Sequence, residues 1–266
     1  MIAMRGLIIA TGKKEAAKSI LRTFLQYLDG GMIPNRFPDL GEKAEYNTID
    51  ATVWLFVALH EDHEQFHDVE FIRSFFGKLT EIINAHYAGT RYNIHVTPEG
   101  LLYGGQDGTQ LTWMDAKVGD YVVTPRIGCP VEINALWFNA LSVYVSFGNL
   151  LGFPVSGYVQ KLKDLKSVFR SHFINEKGYL NDVVIPGHKA DETIRPNQVY
   201  AISLPFSPLT NTEAKRVLDV VHQHLYTEYG LRSLSPFHPD FKPIYTGDQW
   251  HRDNAYHQGT VWGFLW

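Results

Sequence analysis

The chain has 266 residues, 45% apolar and 14% aromatic, which is enough to bury a large core in one or two domains. Its formal charge is −4 and its basic residues are not clustered, so nucleic acid is not an implied partner. The one cysteine, Cys129, excludes an internal disulfide and fits a reducing compartment.

The start, Met1 to Ala10, is too short an apolar run to span a membrane. It is broken by Arg5 and lacks the charged-then-apolar order of a secretion signal. It reads as a helix of the fold, and the chain as cytoplasmic. From Ala17 the residues Ile20, Leu21, Phe24, Leu25 and Leu28 recur at three- and four-residue steps, which predicts a helix stopped by Gly30-Gly31. A second helix is expected from Thr48 to Leu59, apolar nearly all round and hence buried. A third carries Phe71, Ile72, Phe75, Phe76, Leu79, Ile82 and Ile83.

Further helices are expected over Val131–Leu150, Val155–Phe173 and, after Pro196, Asn197–Leu204. Thr210 and Glu213 have capping-box spacing, opening a helix that Gly230 closes; a last helix begins near His257. Strand signals are confined to Ile94–Val96 and Tyr121–Val123. No βαβ rhythm and no linker appear, so one all-α domain spanning 1–266 is predicted. Fully buried helices alternating with helices that have a wet face suit concentric rings, an α/α toroid.

The loops carry residue types with little reason to sit in ordinary solvent turns. They are Gly31 to Asp39, Glu45 to Ala51, Gly105 to Asp120, Thr124 to Asn134, Arg195 to Gln198 and Asp253 to Gly259. Aromatic, amide, guanidinium and carboxylate groups delivered at helix starts are what a sugar pocket needs. Thr48, Asp50 and Asn197 read equally well as plain N-caps. Breaking a glycosidic bond takes a carboxylic acid at the leaving oxygen and a second carboxylate that attacks or activates water. Asp115, with Trp113 and Met114 as apolar company and Lys117 and Asp120 nearby, is the best proton donor.

Six stretches in register resemble the glucosidase domain of bacterial and archaeal glycogen debranching enzymes. They are Asp29–Phe37, Glu45–Ala51, Leu111–Lys117, Val123–Gly128, Val131–Trp137 and Tyr256–Trp262. The resemblance implies an (α/α)6 toroid, incomplete at both ends, and inverting hydrolysis of the α-1,6-linked glucose at a branch of glycogen limit dextrin. It places the general acid on Asp115 and a sugar-binding arginine on Arg195. Trp113, Lys117, Asp120, Arg126, Glu132, Asn134, Gln198, His257, Gln258, Asn35, Arg36, Asn47 and Asp50 match the family's motifs or the expected pocket and are expected to bind substrate. No cofactor, metal, nucleic acid or membrane is implied; the partner is a branched α-glucan.

The resemblance also implies a Trp-Gly-Arg-Asp-Thr stretch before Met1 and a catalytic glutamate beyond Trp266. The chain alone is therefore expected to be an inactive and poorly soluble fragment. Rival expectations are a glucoamylase- or trehalase-like hydrolase, and a glycan-binding remnant without catalysis. The spacing of His60, His63 and His67 can ligate zinc, but it falls where a helix is expected to end in a solvated turn.

Overall fold

The structure is a computed structural model describing residues 1–37 and 43–263. Pro38 and Asp39 of the first polar loop and the three residues after Gly263 lie outside the described residues.

The chain opens with a π-helical turn, Arg5–Ile9, and α1, Lys14–Gln26, whose buried face is Ala17, Lys18, Leu21 and Leu25. Next come α2, Asp50–Phe66, and α3, Val69–Ala88, the latter capped by the Asp68 carboxylate accepting from the Phe71 amide at 3.0 Å. Two hairpins follow: β1, His95–Val96, with β2, Leu102–Tyr103, and β3, Lys117–Val118, with β4, Tyr121–Val122. A short strand β5, Cys129–Pro130, runs directly into α4, Val131–Leu151.

The second half holds α5, Ser156–Phe173, and β6, Val183–Val184, which pairs antiparallel with β5. A 3-10 turn, Pro196–Val199, leads into α6, Tyr200–Ser203, and then α7, Asn211–Leu225. Last come β7, Tyr226–Thr227, β8, Gly230–Arg232, α8, Gln249–Ala255, and β9, Val261–Trp262. β7, β8 and β9 form one antiparallel sheet.

Helix α4 is the spine. Nearly every residue from Val131 to Phe147 is buried, and α2, α3, α5 and α6 pack around it. This follows from a sequence with no polar stripe, since a helix apolar on every side can only be stable when walled in. Two of its buried polar side chains, Ser142 and Asn139, bond to backbone carbonyls. Ser142 donates to Phe138 O at 2.7 Å, and Asn139 donates to Ala135 O and to Phe206 O.

Several expectations are corrected. Helix α2 continues to Phe66, so His60, Asp62 and His63 lie on a helix and not in a solvated turn. His60 packs at 5.2 Å from the Phe206 ring and His63 at 5.7 Å from Phe147. The segment after Pro196 splits into a 3-10 turn and one α-turn. Helix α7 ends at Leu225, and Gly230 belongs to a hairpin instead of closing the helix. The last helix precedes His257, which sits in a turn leading to β9. The extra strands are two or three residues long, too short for any alternation to be visible in sequence.

Candidate active site

The polar loops converge beside the N-terminal ends of α2, α4 and the 3-10 turn. Ile49, entering α2, donates its amide to Leu111 O at 2.9 Å. Thr48 Oγ1 donates to the same carbonyl at 3.1 Å and also to the Asp50 carboxylate. The acid loop, residues 111–116, is thereby fastened to the start of α2. On its other side Thr124 Oγ1 donates to Met114 O at 3.1 Å.

Within that loop the side chains alternate in burial. Met114 and Ala116 point into the protein, and Asp115 between them points out, its side chain 66% exposed. The apolar surroundings expected for this carboxylate are therefore not found; Trp113 and Met114 turn inward and away from it. Its nearest ionisable neighbour is His257, whose side chain is only 1% exposed, with Nε2 at 3.6 Å from Asp115 Oδ1. Burial holds the His257 pKa below the ordinary imidazole value, against the upward pull of Asp115. The ring is enclosed by aromatics. Trp113 meets it edge-on at 5.2 Å, and Trp262 stacks on it at 5.4 Å.

Beneath this rim lies a buried charge network. Arg126 donates to Asp182 and to Glu132, and none of the three side chains is more than 4% exposed. Burial pushes the Glu132 carboxyl up, only partly offset by Arg126. Asp182 uses its second oxygen to accept from Asn197 Nδ2 at 2.8 Å, and Asn197 Oδ1 accepts from the Trp113 indole Nε1 at 2.8 Å. Arg195 stands 3.7 Å from the same Asp182. It donates to Ser233 O, to His257 O at 2.8 Å and to Gln258 Oε1 at 2.8 Å. Gly128 lets the Arg126 loop lie flat on β6: its φ is +132°, and a Cβ would fall 2.8 Å from Ile185.

The residues singled out from sequence thus divide into three groups. Asp115, Trp113, Arg126, Glu132, Arg195, His257 and Gln258 come together in one contiguous centre. Asn134 and Gln198 sit close by, but their amides are committed. Asn134 clamps Leu102 N, Leu102 O and Pro130 O, and Gln198 joins Leu180 N to Arg195 O. Both are enclosed, so direct sugar binding through them is not what the geometry offers.

The third group lies outside that centre, most of it on the surface, with Asp50 half-buried at the start of α2. Lys117 and Asp120 are exposed on the β3–β4 hairpin, against which α8 packs. Arg36 is exposed and paired with Glu45 at 2.9 Å, while Asn35 Oδ1 accepts from the Asn47 amide at 3.3 Å. Asp50 opens α2 beside a cavity of about 260 Å³ lined also by Asn35, Phe24 and Trp54. Burial raises its pKa, and the Thr48 hydrogen bond opposes that. Thr48 and Asn197 spend their side chains elsewhere, Thr48 on Leu111 O and Asp50, Asn197 on Asp182 and Trp113, so the simple N-cap reading does not describe these two.

Sequence reasoning missed Asp182. It sits in an Asn-Asp-Val-Val stretch with no motif, and its partners are 15 and 56 residues distant.

Residues 1–266 match the family described as amylo-alpha-1,6-glucosidase. The chain is 23% identical to the glycogen debranching enzyme of Saccharomyces cerevisiae, over all of this chain and 23% of that protein. It thus spans under a quarter of the length of the curated relative it matches. The fold is similar to that of a GH63 mannosylglycerate hydrolase from Thermus thermophilus in complex with glucose. There the TM-score is 0.65 at 13% identity, over 98% of this chain and 76% of that one. A rhamnosidase from Klebsiella oxytoca with rhamnose bound is more distant, with TM-score 0.54 at 10% identity over 79% of this chain and 38% of that one.

Proposed function

This chain belongs to the amylo-alpha-1,6-glucosidase family, a glycoside hydrolase family, and from that premise we propose that it removes the α-1,6-linked glucose at branch points of an α-glucan of the glycogen limit-dextrin type, with inversion. In this reading the helices are part of an (α/α)6 toroid, the 266 residues form one domain within a longer cytoplasmic protein, and the glucan enters over the rim at Trp113 and Asp115, with His257 enclosed behind it. The observation that carries the proposal is the Asp115 carboxyl, presented outward from a loop whose flanking side chains are buried, with His257 behind it at 3.6 Å.

Asp115 gives its proton to the departing glycosidic oxygen, and water attacks the anomeric carbon from the opposite face. A cationic neighbour would oppose an acid catalyst, and the buried His257 ring is held toward its neutral form. A bound glucan would cover the open side of Asp115 and exclude bulk water. The resemblance assigns water activation to a glutamate downstream of this chain. Glu132 and Asp182 are tied to Arg126 and are not offered for that role. Arg126 and Arg195 support the rim from below, and Lys117, Asp120, Asn35, Arg36, Asn47 and Asp50 are candidates for outer contacts with the glucan.

The test is Asp115→Asn in the longer protein. Glucose release from branched limit dextrin should fall by about 10²–10⁴-fold, the usual worth of a general acid, while oligosaccharide affinity changes little. NMR of the first-formed product should show the β-anomer. Near-normal turnover in the variant, or an α-anomer, would sink the reading.

A further inference from the structure

The buried charge network reaches the rim through Arg195, which donates to His257 O, and through Asn197, which meets the Trp113 indole. Asp182 is the junction: one carboxylate oxygen takes Arg126 and faces Arg195, and the other takes Asn197 Nδ2 at 2.8 Å. The Asn197 amide is thereby held in a single orientation. Its nitrogen is committed to Asp182 and to a 3.6 Å contact with Met114 Sδ, so its oxygen must face Trp113 Nε1, which donates to it at 2.8 Å. The Trp113 ring in turn meets His257 edge-on at 5.2 Å, and His257 Nε2 faces Asp115. Met114, the residue between Trp113 and Asp115, is wedged against the same amide.

We infer that Asp182 is a positioning residue of the glycosidase site, fixing the Trp113 indole and the acid loop through the amide of Asn197. The inference rests on the functional reading above for its catalytic consequence, but the positioning itself concerns only this chain. A buried carboxylate can hold two guanidinium groups without touching an amide at all. Here the anion does both, so the orientation of Asn197 is set by a charge and not by a neutral neighbour that could flip with it. A charged acceptor makes the stronger bond, which suits a junction whose far end must not wander. The arrangement links three segments distant in sequence, residues 112–116, 182 and 195–198, and it lies under the loop that presents Asp115.

A residue that merely stabilises the fold would lower the unfolding temperature and leave the rim as it was. The discriminating readout is the Trp113 indole N–H in a ¹⁵N–¹H spectrum of the 266-residue chain, identified by its loss in Trp113→Phe. Two variants divide the Asp182 functions. Asp182→Glu keeps the charge for Arg126 and Arg195 but moves the oxygen off Asn197. Asn197→Ala removes the indole's acceptor and leaves both ion pairs. Each should shift the Trp113 indole signal and speed its hydrogen exchange by about tenfold, the worth of one hydrogen bond, while the other indole signals stay in place.

In the longer protein the same variants should lower kcat on branched limit dextrin with KM nearly unchanged. In a Trp113→Phe background the Asp182→Glu effect on kcat should largely disappear, because both changes break one chain of contacts. An unmoved indole signal in Asp182→Glu overturns the positioning claim, as does an effect on kcat that simply adds to that of Trp113→Phe. Should the parent release no glucose from any α-glucan, the functional reading fails, and the indole measurement still decides the positioning claim. If Asp182→Glu does not fold, Asp182→Asn, which keeps the side chain's size and removes the charge that orients Asn197, carries the same decision: an unmoved Trp113 indole signal there overturns the claim.

Discussion

Single side chains in this protein are often held in states that water would not allow. Asp62, on the inner side of α2, is 2% exposed, and its Oδ1 has no hydrogen-bond partner among the described residues. Burial pushes its pKa to about 6, with Lys18 pulling it down and Asp68 pushing it up. The folded pKa exceeds the ordinary value of 3.8, so the ionised form is the costly one. Stability therefore rises as pH falls from above about 6 toward about 4, as far as this group is concerned. Asp62→Asn should stabilise the chain at about pH 7.5 by about 1–2 kcal/mol, after discounting for solvent screening, and by nothing measurable near about pH 4. Paired urea titrations at the two pH values check it; an equal gain at both would assign the effect to something other than titration.

Asp115 and Asp182 show why the residue scale was only half legible from sequence. Asp115 stood out because Trp113 and Lys117 flank it in a loop whose composition has no structural excuse. Asp182 has no such surroundings; only folding brings Arg126, Arg195 and Asn197 to it. Asn134 and Gln198 are ambiguous for the converse reason. A planar amide near a helix start serves a sugar and a backbone equally well, and only the fold shows that Leu102, Pro130 and Leu180 have claimed these two.

Among the elements, the long helices were readable because their apolar residues recur with the helical period over three or more turns. The end of α2 was not, because His60, Asp62 and His63 look like surface residues, whereas His60 packs on Phe206, His63 on Phe147 of α4, and Asp62 is buried near Lys18 of α1. The hairpins were invisible because a two-residue ladder carries no period. The capping box on α7 was read correctly. Thr210 Oγ1 accepts from Glu213 N at 3.3 Å, and Glu213 Oε2 accepts from Thr210 N at 2.8 Å.

Glu213 also takes a bidentate contact from Arg170, tying α7 to α5. Burial would raise its pKa, but Arg170 and Thr210 win and bring it down to about 2. The stability it lends is thus fully present above the ordinary value of 4.5 and is lost as pH falls through about 2. Thr210→Ala removes the cap and leaves the Arg170 tie, and should cost about 1 kcal/mol in chemical denaturation at neutral pH. A loss of several kcal/mol would mean that the hydroxyl also orients Glu213 for Arg170.

For the molecule as a whole, Arg126 is the piece that joins the halves. It lies in the loop before α4, and it pairs with both Glu132 at the head of α4 and Asp182 beside β6. Arg126→Met leaves Glu132 without its cation, while Asp182 keeps Arg195 and Asn197, and should cost about 3–5 kcal/mol, the usual penalty for breaking a buried pair from one side. Calorimetry of the purified variant measures it; a thermal midpoint matching the wild type would show that the network is dispensable.

The enclosure of α4 has a bearing on how such a protein can diverge. Over its buried stretch, from Val131 to Val145, the helix offers no position where a bulkier side chain can be accepted without displacing a neighbour, so its sequence is constrained there. Novelty in what is recognised must then be written into the loops at its leading end, where Asp115, Lys117 and Asp120 meet solvent. The scaffold can stay fixed while those loops drift from one sugar linkage to another.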